Sequence, residues 1–150
     1  MILNEKERMA IQELQTLEKG CVEKYKKYSQ QAKDPELKEL FMQLHKKEQK
    51  HYDSLGDVLS GKVPSCDCND TDGKEYQPKA TYHGESEDKK ADCFLATDCI
   101  GTEKMASTEY NMDVFRFGDS GVRKLLADIQ IEEQNHAEML YKYKTVNCMA

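Results

Sequence analysis

Two copies of Glu-x-x-His, "EQKH" at 48–51 and "EQNH" at 133–136, stand on stripes that otherwise carry apolar side chains. Glu48 and His51 continue the series Leu37, Phe41, Leu44, with Leu55 at the next step. Glu133 and His136 continue Val122, Leu126, Ile129, with Leu140 beyond. Steps of three and four residues keep one face of a helix turned the same way, so these acids and imidazoles face where Leu and Phe face. Glu18 and Glu103 extend the stripes of two further helical segments in the same manner. Four carboxylates and two imidazoles are thereby directed at one interior.

An isolated buried carboxylate costs several kcal/mol even after its surroundings relax, so such a group needs an internal partner. No stripe of Lys or Arg supplies one. Two divalent cations balance four carboxylates, and the spacing of three residues lets one helical turn offer both an oxygen and a nitrogen. Helical bundles that hold two iron or manganese ions use this recipe, a Glu from each of two helices and Glu-x-x-His from the other two. The candidate metal ligands are therefore Glu18, Glu48, His51, Glu103, Glu133 and His136. A Glu-x-x-His on an outer helical face would carry no such implication. His45 and His83 are read as surface residues, one aligning with Gln130 in the second copy and the other lying in a loop. Tyr25 and Tyr110 follow Glu18 and Glu103 by two turns, where their hydroxyls could brace the ligand carboxylates from behind. Cys21 and Cys99, one turn from the same two Glu, are read as packing thiols.

The copies belong to a longer duplication. Sliding the chain by 85 residues superposes Glu18 on Glu103, Lys19 on Lys104, Tyr25 on Tyr110 and Asp34 on Asp119. Leu40, Glu48, Gln49, His51 and Leu55 fall on Leu125, Glu133, Gln134, His136 and Leu140. Each half reads as a helical hairpin. The first spans residues 3–60, turning at "KDPEL" with Asp34 as N-cap and Pro35 as the first helical residue. The second spans 89–146, turning at "FGDSG". Residues 61–88 hold many turn formers and no sustained period, and are read as a crossover loop. A structureless loop of that length suits a bundle whose second and third helices run the same way, because the connection must travel the whole bundle. The expectation is one all-α domain over 1–150, an antiparallel four-helix bundle of two duplicated hairpins.

The net charge of −6 argues against a nucleic-acid partner, which requires clustered Lys and Arg. No apolar run approaches the ~20 residues that span a bilayer, and "MILNEKERMA" does not read as a signal peptide. A cytoplasmic location is expected. Six cysteines without an export signal are read as free thiols, and "CDC" at 66–68 as part of an exposed loop.

The two hairpins, about 110 residues, resemble the ferritin-like superfamily, in particular the diiron domain shared by rubrerythrins and bacterioferritins. The resemblance implies that Glu48 and Glu133 bridge two metals, that Glu18 with His51 completes one ion, and that Glu103 with His136 completes the other. Rubrerythrins carry a further carboxylate where this chain has Ala106, and a rubredoxin module it lacks, so the implied site is the more symmetric, bacterioferritin-like one. The stretch from Gly101 to Tyr143 is also similar to the coat F type of spore coat protein, a ferritin-like family in which many members have structural roles. Eight Tyr, with "YKY" at 141–143, would suit cross-linking in a coat, although an ordinary Tyr-bearing surface is the plainer reading. Two functions follow as expectations. One is a diiron oxidoreductase of ferroxidase or peroxidase type that reacts with O2 or hydrogen peroxide and an unknown electron donor, with Mn or Zn as other occupants. The alternative is a spore coat protein, partnered by other coat proteins, in which bound metal is structural. The resemblance also implies a homodimer.

Overall fold

The computed structural model describes residues 1–66 and 71–150, and is all-helical with no strand among them. Four long helices carry the fold: α1 (Glu5–Gln31), α2 (Pro35–Leu59), α4 (Glu87–Val114) and α5 (Ser120–Val146). A short fifth, α3 (Thr71–Glu75), lies within the connection between the two hairpins. None of the described helices is long and apolar enough to cross a membrane.

The helix ends follow from side chains that satisfy otherwise orphaned backbone groups. Asn4 accepts from Glu7 N while the Glu7 side chain accepts from Asn4 N, a reciprocal pair that starts α1. Asp34 caps α2, with Pro35 in the first helical position, and Asp119 caps α5 by accepting from Val122 N. These two aspartates are equivalent in the duplication, so both hairpins turn on the same chemistry. Three boundaries differ from expectation. The first helix starts behind Asn4 rather than at Leu3, and the third long helix starts at Glu87, because Ser86 accepts from Lys89 N. The crossover is not structureless, since α3 interrupts it.

Side-chain contacts set the topology. Val22 O meets His45 Nδ1 at 2.8 Å, while Arg8 at the start of α1 donates to Leu59 O at the end of α2, so the two helices run antiparallel. Tyr25 bonds Glu103 and Tyr110 bonds Glu18, which makes α4 antiparallel to α1. His51 meets Glu132 and His136 meets Glu48, which makes α5 antiparallel to α2. The four helices close a ring α1–α2–α5–α4 in which α2 and α4 point the same way. The crossover accordingly runs the length of the bundle. On its way Gly73 N donates to Asn135 Oδ1 at 2.9 Å, and a Cβ on Gly73 would stand only 2.8 Å from that oxygen, so α3 lies close against α5.

At one end of the bundle a buried polar network ties the crossover and both hairpins together. Asp92 accepts from Lys33 N and Asp34 N at 2.9 Å each and from the Tyr82 hydroxyl at 2.6 Å. Asp34 accepts from Tyr143 at 2.7 Å and from Thr81. Asn147 accepts from the backbone of Thr81 and Tyr82. Tyr143 is thus wholly buried, and of the "YKY" pair only Tyr141 is exposed, at 65%. That corrects the reading of this segment as a Tyr-bearing surface.

The apolar core falls into two clusters. Leu37, Phe41, Leu44, Ala96 and Leu140 belong to one, and Ile11, Leu14, Leu55, Leu126 and Ile129 to the other. Glu18, Glu48, Glu103 and Glu133 are buried but belong to neither. Replacing Asp92 by Ala leaves two backbone N–H groups without their acceptor, each worth about 1–3 kcal/mol. Chemical denaturation of Asp92→Ala should show a loss of about 3 kcal/mol, and Asp92→Asn, which retains one acceptor oxygen, a smaller one.

Candidate metal centre

The structure brings all six candidate ligands to one level of the bundle. Glu18 comes from α1, Glu48 and His51 from α2, Glu103 from α4, and Glu133 and His136 from α5, and each is at most 2% exposed. They form two overlapping sets, Glu18–Glu48–His51–Glu133 and Glu48–Glu103–Glu133–His136, whose ligand atoms lie within 4.8 Å of one another in each set. Glu48 and Glu133 belong to both sets. The two imidazoles stack with ring centres 5.8 Å apart.

Each imidazole turns Nδ1 toward the acids. His51 Nδ1 lies 3.0 Å from Glu48 and 2.8 Å from Glu133, and His136 Nδ1 lies 3.2 Å from Glu48 and 3.4 Å from Glu103. Within the protein's own groups, burial and mutual repulsion prevent four ionised carboxylates. Burial, then the Glu48 charge, pushes the Glu18 carboxyl up to about 8. Burial, then Glu103 and Glu48, pushes Glu133 well above the carboxylate range, and Glu103 is raised by burial and Glu48. Glu48 goes the other way: against its burial, His136 and His51 hold it well below that range. Burial acts to lower the imidazoles, but the surrounding carboxylates outweigh it, so His136 rises to about 10 and His51 well above its usual value.

Hydrogen bonding is incomplete at this level. Glu18 Oε2, Glu103 Oε2 and both Glu133 oxygens are buried without a hydrogen-bond partner among the described residues; Glu133 Oε1 nears His51 Nδ1 without hydrogen-bond alignment. Buried polar atoms are almost always satisfied, so four unsatisfied carboxyl oxygens converging on one point require an explanation. A pair of divalent cations fits the donor set: oxygen and imidazole nitrogen suit iron, manganese or zinc.

The tyrosines act crosswise between the hairpins. Tyr25 of α1 donates to Glu103 of α4, and Tyr110 of α4 donates to Glu18 of α1. Each braces the carboxylate of the other half, not the one two turns away on its own helix. Burial, then the adjacent carboxylate, pushes both phenols well above their usual range, so they remain donors. Cys21 and Cys99 are buried, and burial followed by nearby acids drives their thiols upward, so they pack as neutral groups. For Cys99 the effect of Lys24 opposes that shift without reversing it.

Sequence reasoning missed Glu132, whose carboxylate bonds His51 Nε2 on the side away from the other acids. It precedes the Glu-x-x-His motif rather than lying on its stripe, so periodicity gave no signal. His45, expected at the surface, is half-buried with its Nδ1 against Val22 O, whereas His83 is exposed. Cys21, Cys93, Cys99 and Cys148 are free thiols, and Cys68 of "CDC" lies outside the described residues. Replacing Tyr25 or Tyr110 by Phe removes the donor to a buried carboxyl group. Each substitution should cost about 1.5–3 kcal/mol in denaturant unfolding of the metal-free protein, with the two losses falling short of additivity because both act on one cluster.

Residues 91–145, most of α4 and nearly all of α5, match the family model described as the Coat F domain. The matched segment contains Glu103, Tyr110, Glu132, Glu133 and His136. No curated protein and no solved structure matches the chain.

Proposed function

We propose that this chain is a spore coat protein of the Coat F type, built as a ferritin-like four-helix bundle around a dinuclear metal centre. The coat assignment rests on the family match over residues 91–145. The metal centre rests on one observation, the convergence of four buried glutamates and two histidines with four carboxyl oxygens lacking hydrogen-bond partners among the described residues. Glu48 and Glu133, which belong to both ligand sets, would help hold both ions, with Glu18 and His51 holding one and Glu103 and His136 the other. Bound cations would supply positive charge to a layer of acids that draws a ligand from each of the four long helices.

A redox role is the second reading, and the access to the centre favours it. One cleft of about 520 Å³ between α2, α3 and α5 reaches His136, and another of about 290 Å³ between α2 and α5 reaches His51. Small oxidants fit both. Iron held at the centre would supply electrons to O2 or hydrogen peroxide, whereas zinc would supply charge alone. The chain itself contributes the ligand positions, the exclusion of bulk water and the Tyr25 and Tyr110 hydroxyls that hold Glu103 and Glu18 in place.

Metal analysis of protein loaded with Fe(II), Mn(II) or Zn(II) should find two ions per chain, and Glu48→Ala with Glu133→Ala should abolish paired binding. Two ions retained by that double variant would defeat the ligand assignment. Loading should raise the melting temperature, since ligand at 100 times its dissociation constant adds about 2.7 kcal/mol. Oxidant consumption by the anaerobically Fe(II)-loaded protein separates the readings: turnover supports the redox role, and bound iron without turnover supports the structural one.

Protons and cations compete for the same atoms. Glu18 and His136 retain protons up to about 8 and about 10, so ions must displace protons at neutral pH. Apparent affinity should therefore increase from pH 6 toward pH 8, and calorimetry in buffers of different ionisation enthalpy should register proton release.

A further inference from the structure

The duplication makes the two halves of the centre comparable residue by residue, and behind the imidazoles they differ. His51 Nε2 meets the Glu132 carboxylate, whose side chain is 13% exposed. Under the shift of 85 residues, the position equivalent to Glu132 is Lys47. Lys47 Nζ pairs with Asp72 of α3 at 3.1 Å, and the cleft that reaches His136 is lined by Lys46, Lys47 and Lys50 against Asp72 and Glu75, an excess of one positive charge. The cleft that reaches His51 is lined by Glu132 and Asp128 along with Lys50. Asp128 is in turn the equivalent of Gln43, which lines the His136 cleft. Both rings offer the same nitrogen, Nδ1, to the shared carboxylates. The difference therefore lies behind the rings and in the charge of the approach.

We infer that the two halves of the centre bind cations unequally: Glu132 is a positioning residue that makes the Glu18–His51 half the tighter and first-filled, and Lys47 leaves the Glu103–His136 half the weaker. The inference rests on the dinuclear reading above. A carboxylate that accepts from Nε2–H holds the imidazole in the tautomer whose Nδ1 lone pair faces the ion, fixes the ring and increases its basicity. Outer partners of this kind are typically worth about 10–100-fold in metal affinity. On the other half the equivalent side chain is a cation paired with Asp72, so it gives His136 no carboxylate support, and the part of its charge that Asp72 leaves uncompensated opposes the arrival of another cation.

Titration of the metal-free full chain with Co(II), followed by visible absorption and calorimetry, tests this. The wild type should take up two ions in separate steps whose affinities differ by about tenfold or more. His51→Ala should remove the tight step and His136→Ala the weak one. Glu132→Gln should weaken the tight step by about 10–100-fold and bring the two steps together. Lys47→Glu, at a partly exposed side chain, should tighten the weak step, and circular dichroism checks that each variant is folded. Purely structural substitutions would shift both steps alike and leave their ratio unchanged. A ratio that Glu132→Gln leaves unchanged overturns the inference; if that variant does not fold, a ratio unmoved by Lys47→Glu overturns it. Two equal steps in the wild type, both lost in Glu48→Ala, would overturn this inference and leave the dinuclear reading standing. No uptake by the wild type would defeat that reading and this inference together.

Discussion

The burial of four glutamates at one level governs this bundle. A glutamate from each long helix reaches one level where water cannot screen it, and no apolar packing offsets that. The two imidazoles and two phenols act as a partial remedy: Glu48 takes contacts from both His51 and His136, while Tyr25 and Tyr110 reach across to Glu103 and Glu18. Carboxyl oxygens on Glu18, Glu103 and Glu133 nevertheless lack hydrogen-bond partners among the described residues. The remaining architecture serves to hold this polar layer between two apolar clusters, which exclude solvent from it above and below.

Duplication explains how one chain assembles such a layer. A single hairpin carries a Glu on its first helix and Glu-x-x-His on its second, which is half of a centre. Two hairpins related by approximate symmetry complete it, and the crosswise tyrosines make each half depend on the other. The crossover connection is shaped by this arrangement, since parallel α2 and α4 oblige it to run from one end of the bundle to the other. Its anchoring through Asp92, Asp34 and Asn147 and the contact of Gly73 with α5 turn a long connection into part of the packed structure. The symmetry ends at Glu132 and Lys47, where the two halves face different electrostatic surroundings.

The same features bear on function. A buried layer of acids opposes its own ionisation, which is why burial and neighbouring charge raise Glu18, Glu103 and Glu133 together. Buried Cys21 and Cys99 are raised thiols and have little thiolate with which to react. Among the tyrosines, Tyr25, Tyr110 and Tyr143 are enclosed and Tyr141 is exposed. Clefts of about 290 and 520 Å³ reach His51 and His136 from opposite halves of the layer.

Much of this was legible in one dimension. The spacing of Leu37, Phe41, Leu44, Glu48, His51 and Leu55 identified both a helix and its buried face, because a regular helix repeats its directions every three to four residues. Asp34–Pro35 and Asp119 marked the hairpin corners, because capping is local chemistry. By itself the sequence determined the long helices, the burial of the six polar side chains and their pairing into two equivalent halves. The tertiary structure alone decided that Tyr25 bonds Glu103 instead of Glu18, that Glu132 supports His51, that His45 and Tyr143 are withdrawn from the surface, and that α3 packs on α5. Those contacts join residues some 20 to 110 positions apart on different helices, and helical periodicity carries no information about which side chains meet across a gap.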